Sequence, residues 1–350
     1  MSPQDLVRPE VLGMSAYHVA EAAGMVKLDA MENPYALPEA LRRELAERLA
    51  QVALNRYPEP NPRALRELIR RTMGVPGGLE ILLGNGSDDL IQIIALALAR
   101  PGASLMYPAP TFVMYGVNAT LCGMKAVAVP LRADFSLDAD AFIARMREAR
   151  PAVVFLAYPN NPTGVLYPKA DVARIIAAAP GLVVLDEAYH VFAGTTFMGE
   201  LPRYENLLVL RTVSKLGLAG IRLGYLVGRP QWIAELNKVR QVYNVNVLTE
   251  AAATFLLERV AVLEAQAAEI RSERAKLRAA LAGLPGVELF PSEANFYLLR
   301  VPDAGRTYDA LKRQGVLVRN LHPGVANALR VTVGTPDENR ILVAALKEAL

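Results

Sequence analysis

Hydrophobic residues along this chain fall into short runs, and most of these runs close on polar residues at their C-terminal side. Leu79 to Leu83 leads into Gly84-Asn85-Gly86-Ser87, and Ser104 to Tyr107 into Pro108. Met124 to Val129 is another run, and Ala152 to Ala157 leads into Tyr158-Pro159-Asn160-Asn161-Pro162-Thr163-Gly164. Leu182 to Leu185 ends in Asp186-Glu187-Ala188-Tyr189, and Leu207 to Leu210 in Arg211-Thr212-Val213-Ser214-Lys215. Gly224 to Gly228 follows. Runs of this length, bounded by turn residues, predict buried strands. Helical patterns lie between several of them: one from Asp88 to Ala99 with Ser87 as N-cap, another from about Pro168. Strands that alternate with helices predict an α/β domain with a mostly parallel sheet. Ligands of such sheets sit beyond the carboxyl ends of the strands. The polar ends of these runs are therefore expected to face one crevice.

The flanking regions read differently. Residues 1–37 show little periodicity; Val11 to Ala23 reads as a short helix and Glu32 to Tyr35 as a turn. Pro38 opens a helix, which Arg56 to Pro62 breaks. The arginines from Arg63 to Arg71 follow a helical spacing and read as a solvated face. Trp232 to Gly283 is largely helical, with Thr249 to Leu281 as one long helix joining two domains. Beyond Pro285 the pattern becomes α+β: strands Val287 to Phe290, Asn295 to Leu299, Val316 to Arg319 and Leu329 to Val333, and helices Tyr308 to Gln314 and from Pro336. The expected division is an N-terminal segment 1–37 packing with the small domain, a large domain 38–270 and a small C-terminal domain 271–350.

Composition narrows the classes. The chain has 350 residues, 53% of them hydrophobic and 21% charged, enough to build a substantial core. A net charge of +3 gives no argument for nucleic acid or an anionic membrane. One cysteine, Cys122, excludes an intrachain disulfide; with His18, His190 and His322 it forms no metal-ligand spacing. The first ten residues lack the apolar core of a signal peptide, and the apolar run Leu90 to Ala99 is too short to cross a bilayer. The expectation is a cytoplasmic protein without metal, membrane or nucleic-acid partners.

Two positions carry chemistry by themselves. Lys215 lies just past a buried strand beside small hydroxyl residues, where desolvation lowers an amine pKa and makes a nucleophile. The helix start at Ser87 offers backbone amides to a phosphate.

Asn161, Asp186, Lys215 and Arg222 occur in that order at strand ends, in the contexts NNPTG, DEAY and SKLGLAGIR. On these motifs the chain resembles, over essentially its whole length, the pyridoxal-phosphate (PLP) aminotransferases of fold type I, the aspartate aminotransferase-like fold. MENPY (31–35), RYPEP (56–60), GNGSDD (84–89), YNVN (243–246), ANF (294–296), LVRN (317–320) and LRVTVGT (329–335) look similar to motifs of the histidinol-phosphate aminotransferases within that family.

The resemblance implies a seven-stranded, mostly parallel sheet in the large domain and PLP as the electron sink. Lys215 would bind the cofactor covalently and later carry the proton between Cα and C4′. Asp186 would pair with the ring nitrogen, Asn161 and Tyr189 would bond the ring hydroxyl oxygen, and Tyr107 would stack on the ring. Gly86, Ser87 and Asp88 amides, Thr212, Ser214 and Arg222 would hold the cofactor phosphate. Tyr57 would reach the phosphate of a neighbouring subunit, which implies a homodimer with shared sites. Arg330 would clamp a substrate carboxylate. Arg330, Arg319, Asn161 and Tyr17 would receive the substrate, with Tyr243 and Asn246 reaching over from the partner.

The implied reaction interconverts histidinol phosphate plus 2-oxoglutarate and 3-(imidazol-4-yl)-2-oxopropyl phosphate plus glutamate, in ping-pong order, within histidine biosynthesis. Aromatic amino-acid aminotransferases and threonine-phosphate decarboxylases share the cofactor residues. A PLP-sensing regulator would need a DNA-binding extension, and a dinucleotide-binding reading of Gly84-Asn85-Gly86 lacks the third glycine. One departure from the family stands out: Lys215 and Arg222 are seven positions apart, one fewer than is common in this fold, which demands a tighter loop through Gly217.

Overall fold

The computed structural model describes residues 1–16 and 20–350. A two-residue strand, β1 (Val26–Lys27), pairs with the C-terminal region. The runs that alternate with helices become β2 (Glu80–Asn85), β3 (Ser104–Ala109), β4 (Lys125–Pro130), β5 (Val153–Ala157), β6 (Leu182–Asp186), β7 (Leu207–Thr212) and β8 (Leu223–Gly228). They form one seven-stranded sheet in the order β2-β8-β7-β6-β5-β3-β4. Only β8 runs antiparallel to its neighbours. The fold is the mostly parallel α/β sheet that the hydrophobic runs predict.

Burial explains the sequence pattern. Every residue of β5, β6, β7 and β8 is buried, because helices cover both faces. Leu207 and Val209 enter the core on one face, Leu208 and Leu210 the core on the other. Edge strand β4 instead alternates, with Val127 and Val129 buried between exposed neighbours.

The C-terminal region adds β9 (Glu288–Leu289), β10 (Phe296–Arg300), β11 (Val316–Leu317), β12 (Arg319–Asn320) and β13 (Ala328–Thr332). Four of these form a sheet ordered β12-β13-β10-β9, while β11 pairs in parallel with β1. Leu28 and Met31 share a core with Phe296, Val331 and Leu346, so the segment after β1 is packed into this region.

Several expectations are corrected. Among the described residues of the helix expected from Val11 to Ala23, only Val11 and Leu12 are helical, in the single turn Pro9–Leu12 ended by Gly13. Ser87 is the first residue of its helix, Ser87–Leu98, and Gly86 is the cap. Asn85 is still paired to Leu223 in the sheet, so the chain must turn within one residue. Gly86 does so at a φ of +83°, in the left-handed region that glycine tolerates. Thr249 to Leu281 is two helices, Val247–Leu257 and Val260–Ala282. Leu256 and Leu257 face the large core, whereas Ala267, Ile270 and Leu277 face the C-terminal core. The change of core falls inside the second helix, after Leu263, and at the break between the helices the Arg259 guanidinium lies 3.9 Å from the Phe255 ring. Two arginines of the helix Arg63–Thr72 are not merely solvated: Arg66 pairs with Glu80, and Arg70 donates to the Leu79 carbonyl at 2.8 Å.

Candidate active site

The carboxyl ends of β2, β3, β5, β6 and β7 lie along one edge of the sheet. Because β8 runs the other way, its amino end, with Arg222 just before it, reaches the same edge. There, an inner cavity of about 110 Å³ is lined by Met31, Ser87, Asp88, Phe112, Ala157, Asn161, Asp186, Ala188, Tyr189, Thr212, Ser214, Lys215 and Arg222. Residues separated by more than a hundred positions thus meet because strand register brings their turns together.

Asp186 is the last residue of β6 and is buried. Tyr115 donates its hydroxyl to Oδ2 at 2.7 Å, and the Ala188 N–H donates to Oδ1 at 3.1 Å. Burial raises the carboxyl pKa to about 6, against the pull of these two donors. A buried carboxylate of this kind suits a protonated ring nitrogen as partner. Tyr115 is fully buried and stacks on Phe155, with centroids 4.8 Å apart. It is a site residue that the sequence did not reveal, since nothing local marks a tyrosine within the helix Met114–Leu121. Its neighbour Glu187 points away, into a buried pair with Arg211 at 2.8 Å.

Lys215 sits in a turn, Ser214–Leu218, that is kinked at Gly217. Gly217 takes a φ of +130° there, and a Cβ on it would lie 2.8 Å from Asn33 Nδ2. Asn33 also donates to the Leu216 carbonyl at 3.2 Å, so the MENPY segment braces the lysine loop. Gly217 and Arg222, the latter at a φ of +51°, are the residues with positive φ between Lys215 and the start of β8. Lys215 Nζ donates to the Ala30 carbonyl at 2.8 Å. Burial first, then the Arg330 charge, lowers the amine pKa to about 8, leaving a useful neutral fraction near neutral pH.

The same pocket collects anion donors. Thr212 and Ser214 hydroxyls lie 2.9 Å apart, and the helix Ser87–Leu98 points its amino end inward. Arg222 Nη2 is 3.4 Å from the Asp88 carboxylate, and a Cβ on Gly86 would come within 2.7 Å of that nitrogen. The Gly86 amide itself donates to the Gly84 carbonyl at 2.8 Å. Gly86 therefore contributes room for Arg222 rather than a donor, which corrects its expected role. An amine, a buried carboxylate and this donor cluster together fit PLP, which has an aldehyde, a ring nitrogen and a phosphate dianion.

The stacking expectation for Tyr107 is also corrected. Tyr107 lies within β3 rather than at its end, and its hydroxyl packs so tightly on Gly116 that a Cβ there would be 2.7 Å away. Phe112, from the loop after β3, lies on the cavity wall, and Tyr107 does not. Asn160 fixes that loop: it accepts from the Thr111 hydroxyl at 2.6 Å and donates to the Pro110 carbonyl at 3.0 Å. Tyr189 lines the cavity and meets Phe296 edge-on at 5.1 Å.

Met31, Phe112 and Asn161 also line an outer cavity of about 730 Å³. Its wall carries Arg319 and Arg330 together with the apolar Val11, Met14, Val113, Met114, Val117 and Leu121. Arg319 and Arg330 face each other across β12 and β13. Arg330 donates to Asn161 Oδ1 at 2.5 Å and to the Asp29 carbonyl at 2.8 Å, spanning from the small sheet to the NNPTG loop.

Three residues expected to serve a partner's site lie outside this one. Tyr57 is 81% exposed and stacks on Tyr243, with centroids 4.6 Å apart; neither lines the inner or the outer cavity. The Asn246 side chain caps the helix Val247–Leu257, accepting the Thr249 N–H at 2.9 Å. Tyr17 and His18 lie outside the described residues. Among the described residues no group of His, Cys, Asp or Glu could hold a metal ion, and no helix is long and apolar enough to cross a membrane.

Comparison with known proteins agrees with this geometry. The model of the aminotransferase class I and II family matches residues 23–346. Histidinol-phosphate aminotransferase 1 of Burkholderia lata is 56% identical over 353 aligned positions, covering 100% of this chain and 99% of the relative. Histidinol-phosphate aminotransferase of Chromobacterium violaceum is 55% identical, covering 99% of this chain and 98% of the relative. The solved structure of histidinol-phosphate aminotransferase from Sinorhizobium meliloti in complex with pyridoxal-5'-phosphate shares the fold at a TM-score of 0.88, with 24% identity over 98% of this chain and 97% of that one. The chain belongs to the class I and II aminotransferases.

Proposed function

We propose that this protein is a PLP-dependent histidinol-phosphate transaminase of histidine biosynthesis. It exchanges an amino group between histidinol phosphate and 2-oxoglutarate in two half-reactions. The observation that carries the reading is one pocket holding Lys215 and Asp186, opening onto a chamber with Arg319 and Arg330. Relatives 55–56% identical over the whole length carry the substrate assignment.

Bound PLP supplies the electron sink that weakens the substrate Cα–H bond and stores the amino group between half-reactions. Each residue then has a physical task. Lys215, with its amine pKa lowered to about 8, anchors the cofactor and, when released, takes and returns the Cα proton. Asp186 holds the proton on the ring nitrogen, and Tyr115 fixes the carboxylate that does so. Asn161 and Tyr189 orient the ring hydroxyl. Ser87 and Asp88 amides, Thr212, Ser214 and Arg222 receive the phosphate. Phe112 and Met31 narrow the neck between the two cavities and exclude water. Arg330 offers a planar fork to the carboxylate of glutamate, and with Arg319 it receives the phosphate of histidinol phosphate.

The protein acts as a cytoplasmic homodimer. The exposed Tyr57–Tyr243 stack supports this, because it offers a second copy two phenol groups that its own site does not use. Tyr57 reaches the partner's cofactor phosphate, and Tyr243 with Asn246 reaches the partner's substrate. Tyr17 contributes to substrate binding. Residues 1–37, 38–270 and 271–350 are the N-terminal segment, the large domain and the small domain.

Amino transfer to 2-oxoglutarate tests the reading, with histidinol phosphate and phenylalanine as competing donors. Histidinol phosphate is expected to give the higher kcat/KM; a preference for phenylalanine would overturn the assignment.

A further inference from the structure

The Ala294-Asn295-Phe296 segment lines neither cavity. Yet Asn295 is completely buried, and its side-chain amide donates to the Met31 carbonyl at 3.1 Å. A carbonyl can only accept, so the amide nitrogen must be the group that faces it. On its other side Met31 is gripped as well: its N–H donates to Thr332 Oγ1 at 3.1 Å. The small sheet holds the two gripping residues together. Phe296 pairs with Thr332, and the Val333 N–H donates to the Asn295 carbonyl at 2.9 Å.

Met31 has a φ of +52°, in the left-handed region that favours glycine. A methionine stays there only where its surroundings fix it. The consequence is seen in the two residues before it. The Asp29 carbonyl accepts from Arg330 Nη2 at 2.8 Å, and the Ala30 carbonyl accepts from Lys215 Nζ at 2.8 Å. One clip of backbone therefore touches both working cations of the site.

We propose that Asn295 and Thr332 are positioning residues: they grip Met31 from both sides and so aim the Asp29 and Ala30 carbonyls at Arg330 and Lys215. This rests on the transaminase reading. Whenever Lys215 is not bonded to the cofactor, its amine needs a fixed acceptor, or it swings away from the proton it must carry. The small sheet supplies that acceptor to a lysine carried by the large sheet. Without either grip, Met31 relaxes to ordinary backbone and both carbonyls turn.

Three variants separate positioning from bulk stability. Thr332→Val keeps shape but removes the acceptor, Thr332→Ser keeps the hydroxyl, and Asn295→Ala removes the donor. The readout is the ionisation of Lys215 in the cofactor-free full-length chain, followed by reductive methylation across pH and mass spectrometry of its peptide. The charged groups bearing on Lys215 are Arg330, Glu32, Asp88 and Arg222, and all remain in these variants. Losing a carbonyl that accepts from the ammonium disfavours the charged form. Thr332→Val and Asn295→Ala are expected to lower the proton-binding constant of Lys215 about three- to tenfold. In the holoenzyme the same two variants lower kcat about tenfold, while Thr332→Ser stays near wild type on both measures. Unchanged ionisation in Thr332→Val would overturn the inference, whatever happens to the melting temperature. Should Asn295→Ala fail to fold, Thr332→Val decides alone. A wild-type chain that transfers no amino group sinks the transaminase reading; unchanged ionisation in an active enzyme sinks this inference only.

Discussion

The inner pocket and the outer chamber are built by different means. In the pocket most polar groups sit within a few positions of a buried strand, and neighbours hold them: Asp186 by Tyr115 and Ala188, Ser214 by Thr212. The chamber is assembled from the N-terminal segment, the loop and helix after β3, and the small sheet. A few long-range bonds, such as those of Arg330 to Asn161 and Asp29, tie these parts together. Sheet register thus fixes the chemistry, whereas side chains from separate regions of the fold set what the site accepts. Substitutions in the pocket should act on kcat, and those in the chamber on KM.

The largest effect expected is that of Lys215→Ala. It removes both nucleophile and proton carrier, so turnover should fall roughly a millionfold. The visible absorbance of the bound cofactor should vanish while circular dichroism stays that of the folded protein. An active variant would break the pocket side of the comparison.

Asp186→Asn comes next, with kcat lower by about a hundred- to a thousandfold. It also makes a thermodynamic prediction with a definite sign. Burial raises the Asp186 pKa from 3.8 to about 6. Between those values the folded chain binds a proton that the unfolded chain releases, so stability falls as pH rises through that window. The cofactor-free Asp186→Asn variant should therefore be more stable than wild type at pH 7, by at most on the order of 3 kcal/mol. The gain should disappear below about pH 4. Urea unfolding of both proteins at the two pH values measures it.

The smallest effect separates two aromatic residues. Phe112→Leu loses an aromatic wall at the neck and should cost about tenfold in kcat/KM. Tyr107→Phe, whose hydroxyl packs on Gly116 away from the cavity, should stay within about twofold. The reverse order would restore Tyr107 as the residue against the ring.

The same contrast explains what the sequence makes legible. Strands β5 to β7 are readable because both faces are buried, so their runs are continuous and their ends abrupt. NNPTG, DEAY and SK follow those ends directly, and the structure brings them to one cavity. Features that depend on packing between distant segments leave no local trace. Tyr115 acquires its partner only when the helix Met114–Leu121 packs on β3 and β4 and the tyrosine hydroxyl reaches the end of β6. The choice between Tyr107 and Phe112 turns on how far β3 extends, and Tyr107-Pro108 looks like an end although the strand continues to Ala109. The helix break at Glu258 and Arg259 has no glycine or proline to announce it. Asn246 within YNVN also caps the helix Val247–Leu257, a second task that the motif does not announce.

The most direct test of the central claim is the absorbance spectrum of the purified protein, taken before and after histidinol phosphate is added. The account predicts a yellow protein whose visible band is bleached by histidinol phosphate and restored by 2-oxoglutarate. A colourless protein that takes up no PLP, or a band that histidinol phosphate leaves untouched, would contradict it.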